Sequence, residues 1–317
     1  MNEKITCQLC PHYCKLSEGQ IGLCGARQAK LSSGSEASEI TEITETTETT
    51  ETIEAPIKTE KSYESKEKPL KALEVVPLNY GKVTSFALDP IEKKPLLYFH
   101  PGANILSVGG FGCNMSCPFC QNYHIASRGR KQDVIYDIPP EQLITLANSE
   151  KRLGNIGIAF TYNEPLIAFE YVLDTAKLAQ NEGLEIVLVT NGQINEPYLK
   201  QLLPYVSAWN IDLKCFSEET YKKLGGDFNT VLKTIELAQA TSHVEITTLV
   251  VPKISDNEDE MYEMAKFLAS LNPDIPLHLS RYFPCYKYDE PATDINKMKK
   301  LKEIASKHLN RVRLGNM

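Results

Sequence analysis

The sequence predicts an α/β fold: a partial barrel of six parallel strands, each followed by a helix, behind a Cys-rich N-terminal segment and a disordered acidic linker. Three observations predict it. From position 104 onward, short apolar runs alternate with amphipathic helical stretches of about 10–15 residues, the pattern of parallel βαβ units. The chain has 317 residues, 42% of them hydrophobic, enough for one large core. Between the N-terminal cysteines and the first strands lies a segment that belongs to neither the helix nor the strand period.

The elements follow in order. Residues 1–31 carry Cys7, Cys10, Cys14 and Cys24 and are expected to form a metal-binding segment. Residues 32–70 form the linker. Its positions 32–68 hold ten Glu and four Lys, with Glu at every third residue from Glu36 to Glu54 and Thr, Ser and Ile between. Repelling Glu and poor helix formers favour a disordered chain there. The core is expected over 71–317. Short strands are read at Val83–Leu88 and Leu96–Phe99. The six barrel strands are Asn104–Val108, Ile156–Phe160, Glu185–Val189, Ala208–Leu213, Val244–Val251 and Leu277–Ser280. Helical patterns occupy Ile167–Asn181, Glu196–Leu203, Ser217–Leu224, Thr230–Ala240, Glu258–Leu271 and Ile295–His308, and a last short strand is read at Arg311–Leu314. In such a barrel the chemistry sits where strands end and loops begin.

Charge has to be divided before it is interpreted. The net charge of −7 comes almost wholly from the linker, since the remainder holds 30 basic and 31 acidic residues. A basic nucleic-acid surface is not expected. No stretch is long and apolar enough for a spanning helix, and the first residues lack an apolar signal core, so a cytoplasmic location away from membranes is expected. In a reducing compartment, nine Cys point to metal ligation or catalysis rather than disulfides.

The first barrel strand runs into Cys113-Asn114-Met115-Ser116-Cys117-Pro118-Phe119-Cys120, a C-x3-C-x2-C loop. Three thiolates can hold three irons of a cubane cluster and leave the fourth open to a ligand. A structural zinc completed by His124 is the other metal reading, and a buried Cys-rich turn the blandest one. Thr161-Tyr162-Asn163-Glu164-Pro165 follows the second strand, Thr190-Asn191-Gly192 the third and Asp212-Leu213-Lys214 the fourth; Arg281 closes the sixth. Each alone reads as a turn or a solvated polar group. Together they are four polar strand ends on the face that carries the three-Cys loop.

These phrases resemble the radical SAM superfamily over roughly residues 71–317. The match is closest to the radical SAM protein of the AmmeMemoRadiSam system and to pyruvate formate-lyase-activating enzymes. It is carried by Cys7 through Cys14, Gly19 through Cys24, Phe99-His100-Pro101-Gly102, Gly112 through Asn122 and His278-Leu279-Ser280-Arg281. The resemblance implies a TIM-like (β/α)6 partial barrel. It also implies a [4Fe–4S] cluster on Cys113, Cys117 and Cys120, with S-adenosyl-L-methionine (SAM) bound at the open iron. Asn163, Glu164, Thr190, Asn191, Asp212, Lys214 and Arg281 would line the SAM pocket. The implied activity is an oxidoreductase that cleaves SAM to a 5′-deoxyadenosyl radical for hydrogen abstraction. The implied partners are a low-potential electron donor of flavodoxin or ferredoxin type and a protein or small-molecule substrate, with activation of a glycyl radical enzyme as one such role. Asn163-Glu164 stands where the superfamily has a GGE-type motif, with both glycines absent, and the acidic insert departs from the pattern. A non-catalytic iron–sulfur or zinc protein remains the competing expectation.

Cys7-x2-Cys10-x3-Cys14-x9-Cys24 is a four-thiolate set suited to zinc or to a second iron–sulfur cluster, with His12 as a substitute ligand. Cys215, Cys285, His100, His243 and His278 are expected to be structural.

Overall fold

The computed structural model describes residues 3–32, 72–126 and 135–317. The linker expected over 32–70 therefore lies, Ser32 apart, outside the described residues. In chain order the strands are β1 (Ile5–Thr6), β2 (Lys15–Leu16), β3 (Arg27–Leu31), β4 (Leu73–Pro77), β5 (Lys82–Val83), β6 (Ser85–Pro90), β7 (Asn104–Gly109), β8 (Tyr136–Asp137), β9 (Asn155–Phe160), β10 (Glu185–Thr190), β11 (Ala208–Asp212), β12 (His243–Val250), β13 (Leu277–Arg281) and β14 (Val312–Gly315). The helices are α1 (Tyr123–Ala126), α2 (Pro140–Ser149), α3 (Phe169–Asn181), α4 (Glu196–Leu202), α5 (Glu218–Lys223), α6 (Phe228–Gln239), α7 (Glu258–Leu271) and α8 (Ile295–Ala305).

Eight strands form one sheet in the order β14-β13-β12-β11-β10-β9-β7-β6. All neighbours from β7 to β14 run parallel, and β6 pairs antiparallel with β7. The six expected barrel strands and the short last one are all present. The edges β6 and β14 do not pair with each other, so the barrel is partial. Val187 and Leu188 of β10 are both buried, and β9 and β11 are similarly covered, as strands packed on both faces must be.

The helices start where their caps allow. The side chains of Ser217, Asp227, Asn257 and Asp294 accept the first free N–H groups of α5, α6, α7 and α8. Their buried sides, with Val172 and Ala176 of α3, join Ile186 and Leu188 in one continuous core. Helix α2 was not anticipated; it begins on Pro140 and buries Leu143, Ile144 and Ala147.

The strand expected at Leu96–Phe99 is not a strand. The chain there makes a 3-10 turn at Ile91–Lys93, and beyond it Pro95 O accepts from Asn210 Nδ2 of β11 at 3.0 Å. Pro95 has no N–H, and the N–H groups of Leu97 and Tyr98 donate to the Glu245 carboxylate at 3.1 and 2.8 Å instead of to a neighbouring strand. Ile91 and Leu96 pack with Ile105, Ala159, Val187 and Ala208 in a separate apolar cluster. This segment plugs the barrel rather than extending its sheet.

The N-terminal segment docks on the core. Strand β3 pairs antiparallel with β4, and β1 with β2. Arg27 makes a bidentate pair with Glu170 of α3 at 2.6 and 2.7 Å.

Candidate active site

The cysteine loop leaves β7 through Gly112, whose φ of +85° belongs to the left-handed region. A Cβ there would stand 2.6 Å from the Cys24 carbonyl. The loop is anchored on every side. The Gly112 N–H donates to Ile125 O at 2.8 Å, Cys113 N–H to Cys24 O at 3.2 Å, Ser116 N–H to Leu224 O at 2.8 Å and Cys120 N–H to Cys117 O at 3.3 Å. Asn163 braces it from β9: its Oδ1 accepts from Gly110 N–H at 2.9 Å, and its Nδ2 donates to Gly112 O and Glu164 O.

Cys113, Cys117 and Cys120 form one wall of a cavity of about 640 Å³ at the C-terminal ends of the strands. Its other walls include Asn163, Glu164, Thr190, Asn191, Asp212 and Lys214. Glu164 is 2% exposed. Its Oε1 accepts from Leu166 N–H (3.0 Å) and Thr190 Oγ1 (2.6 Å), and its Oε2 from Asn191 N–H (2.8 Å). Burial outweighs these donors and pushes the carboxyl up to about 7. Asn191 reaches from the same strand end to the cysteine loop: its Nδ2 donates to Asn114 Oδ1 at 3.0 Å and faces Cys113 Sγ at 3.6 Å. Lys214 pairs with Asp212 at 2.6 Å. Burial works against the Lys214 ammonium, but Asp212 and the thiols of Cys117 and Cys120 outweigh it, and its affinity for the proton is raised.

Burial pushes all three thiols up, Cys117 to about 11; Lys214 pulls Cys117 the other way. A cation already lies where negative thiolate charge would build up. Among the described residues no group of three or more His, Cys, Asp and Glu side chains stands at finished metal-holding spacing. The test of fit is therefore the donor chemistry. Three soft thiol ligands share one loop, and backbone N–H groups point at their sulfurs, Met115 N–H at Cys113 Sγ (3.4 Å) and Asn122 N–H at Cys120. N–H···S donors and a nearby cation are the surroundings that iron–sulfur ligation calls for.

The radical SAM superfamily model matches residues 107–268. The chain belongs to this superfamily. It is 32% identical over 320 residues to an uncharacterized protein of Methanocaldococcus jannaschii, covering 100% of this chain and 82% of that one. It is 28% identical to a putative glycyl-radical enzyme activating enzyme of the same organism, over 64% of this chain and 85% of the relative. It is also 28% identical to the pyruvate formate-lyase 1-activating enzyme of Escherichia coli, over 49% of this chain and 65% of that enzyme. Among solved structures, Streptococcus suis SuiB bound to S-adenosylmethionine superimposes with a TM-score of 0.50 at 15% identity, over 64% of this chain and 47% of SuiB. A radical SAM methyltransferase from Sphaerobacter thermophilus gives a TM-score of 0.50 at 15% identity, over 68% of this chain and 67% of that one. These two likenesses bear on the fold alone.

Six of the seven residues expected around SAM line the cavity that the three thiols border. Arg281 does not. Its Nε donates to Thr293 O at 2.8 Å and its guanidinium packs over the Phe283 ring at 5.0 Å, which turns it toward the loop after β13. His124, the zinc alternative, sets its ring at a tilt to that of Tyr123, with centroids 3.9 Å apart, and borders neither cavity that the three thiols border. Tyr162, Thr247, His278, Ser280 and Arg313 also line this cavity and were not expected there. His278 is held from behind: its Nε2 meets Glu245 Oε2 at 2.6 Å, and His243 Nε2 meets the other oxygen at 2.9 Å. The His278-Leu279-Ser280 phrase is alternate along a strand, which puts His278 and Ser280 on one face. Knowing which face needed the sheet register.

Proposed function

We propose that this chain is a radical SAM enzyme in which Cys113, Cys117 and Cys120 hold a [4Fe–4S] cluster and the facing wall holds SAM. When bound and reduced, the pair supplies a 5′-deoxyadenosyl radical for hydrogen abstraction. The observation that carries the reading is a buried carboxylate, Glu164, in the same cavity as the three thiols, with its remaining lone pair free for the SAM ammonium. Thr190 and the Asn191 N–H fix that carboxylate. Asp212 and Lys214 present a polar pair at the next strand end. The plug of Ile91 and Leu96 closes the barrel below and keeps bulk water from that side. A low-potential electron donor is required. The likeness to activating enzymes supports a glycyl residue of a partner enzyme, or another protein or small molecule, as the hydrogen donor.

Anaerobic reconstitution followed by reduction with SAM tests this. Release of 5′-deoxyadenosine is expected from the wild type and none from Cys117→Ala. Intact iron without any release would overturn the proposal in favour of a non-catalytic metal protein.

A further inference from the structure

The N-terminal cysteines form a second thiol centre that touches the first. Thr6 pairs with Lys15 across the β1–β2 hairpin, so Cys7 and Cys14 are the next opposed pair, joined by Cys7 N–H to Cys14 O at 2.9 Å. Opposed residues carry their Cβ atoms about 4.5–5.5 Å apart. That suits sulfurs converging on one tetrahedral ion, where a metal–sulfur distance of about 2.3 Å sets them about 3.8 Å apart. Cys10 sits in the hairpin turn, and Cys24 enters from the following loop. The loop that carries Cys24 lies against Cys14, whose Sγ would stand 3.7 Å from a Cβ on Gly22.

The sulfurs are dressed as ligands. His12 N–H points at Cys10, Ala26 N–H at Cys24 and Leu23 N–H at Cys14 Sγ (3.5 Å). The Cys10 and Cys24 pattern, an N–H two residues on, is repeated at Cys113 and Cys120. Beside them lies Arg27, 5% exposed. Its two terminal nitrogens are spent on Glu170, its Nε is buried without a partner, and it lies within electrostatic reach of Cys7 and Cys24. A buried orphan N–H is rare and calls for an acceptor; a thiolate sulfur is the acceptor at hand.

Asn114 joins the two centres. Its side chain bonds Cys10, Gln193 O and Asn191, and its carbonyl meets His12 Nε2 at 2.6 Å. Cys24 O accepts from Cys113 N–H. The backbone on both sides of the first cluster cysteine is therefore held by the N-terminal module.

We propose that Cys7, Cys10, Cys14 and Cys24 bind one zinc ion, and that this zinc centre clasps the loop of Cys113 through His12, Asn114 and Cys24. Binding forms four Zn–S bonds and releases four thiol protons to solvent. The centre then carries a net charge of −2, part of which Arg27 offsets. The zinc assignment stands on these residues alone; the clasp also rests on the cluster reading above. The contacts give the module a structural role, because a segment this short builds no core of its own and a bound metal supplies folding energy.

Metal analysis of Cys113/Cys117/Cys120→Ala protein, purified without oxygen, separates the two centres. About one zinc per chain is expected, falling below about a tenth in the same background with Cys10→Ser. No stoichiometric metal, or iron with acid-labile sulfide, would overturn the zinc site. His12→Ala tests the clasp without touching a thiol. Zinc content should stay unchanged while the visible absorbance of the reconstituted cluster decays about fivefold faster, the effect of one lost hydrogen bond. An unchanged lifetime would refute the clasp. If no cluster forms in the wild type, the cluster reading fails and the zinc result still stands.

Discussion

Glu164 offers the sharpest test of the SAM pocket, because its buried carboxyl titrates at about 7 and the group it is proposed to receive is a cation. A carboxylate attracts an ammonium, whereas the neutral acid offers far less. The ionised fraction is about 3% at pH 5.5 and about half at pH 7, so the dissociation constant for SAM should fall about fifteenfold across that interval. The ligand's own α-amino group loses its proton near pH 7.7–8.0, which sets the upper end of the useful window. Equilibrium dialysis of SAM against the oxidised, reconstituted protein measures it. Glu164→Gln keeps the shape and the Thr190 contact but cannot ionise, and it sets an amide N–H against the Asn191 N–H; its affinity should be lower and flat with pH. A wild-type change under about threefold, or the same slope in the variant, would refute the placing of the SAM ammonium at Glu164. The sign for stability runs the other way. The folded value lies above the ordinary carboxyl value of 4.5, so the folded chain holds this proton longer, and the contribution present below 4.5 is lost as pH rises toward 7.

Two further outcomes follow from the same packing. Glu245 has its carboxyl held at about 2: burial would raise it, but His243, His278 and the Tyr98 N–H outweigh burial. The stabilisation, about 3 kcal/mol, should be present above pH 4.5 and disappear as pH falls toward 2, and Glu245→Gln should remove that acid limb from unfolding curves measured in denaturant. Lys214→Met leaves Asp212 unpaired and removes the cation that acts on Cys117 and Cys120; iron binding on reconstitution should weaken about 10–100-fold, with Lys214→Arg restoring much of it.

The parallel barrel was legible because its strands are buried on both sides and its helices carry a clear apolar face; Ile186, Val187 and Leu188 could belong to little else. The cysteine loop was legible because three cysteines fall within eight residues. What escaped was long-range. Leu96–Phe99 has the composition of a strand, yet Glu245, some 150 positions later, takes the two N–H groups that a sheet partner would have used. Arg281 ends a barrel strand as the other site residues do, but the Thr293 carbonyl on the following loop draws its Nε out of the cavity. Local pattern cannot report a partner that arrives from elsewhere in the chain.

The same limit hides the bracing role of Asn163 and Asn191, which the sequence places around SAM without showing what else they hold. Their side chains are mostly committed to the framework: Asn163 staples Gly110 and Gly112 to the end of β9, and Asn191 ties the end of β10 to Asn114. Each secures one strand end to the thiol loop, so the distance from Glu164 to Cys113 is set by hydrogen bonds rather than by loop flexibility. An Asn191→Ala substitution should therefore act on the cluster loop as well as on the SAM side, whereas Thr190→Val, which touches Glu164 and Gly192, should act on the SAM side alone. The separation of the two effects, read as cluster lifetime against SAM affinity, follows from the contacts and would fail if both substitutions moved the two quantities together.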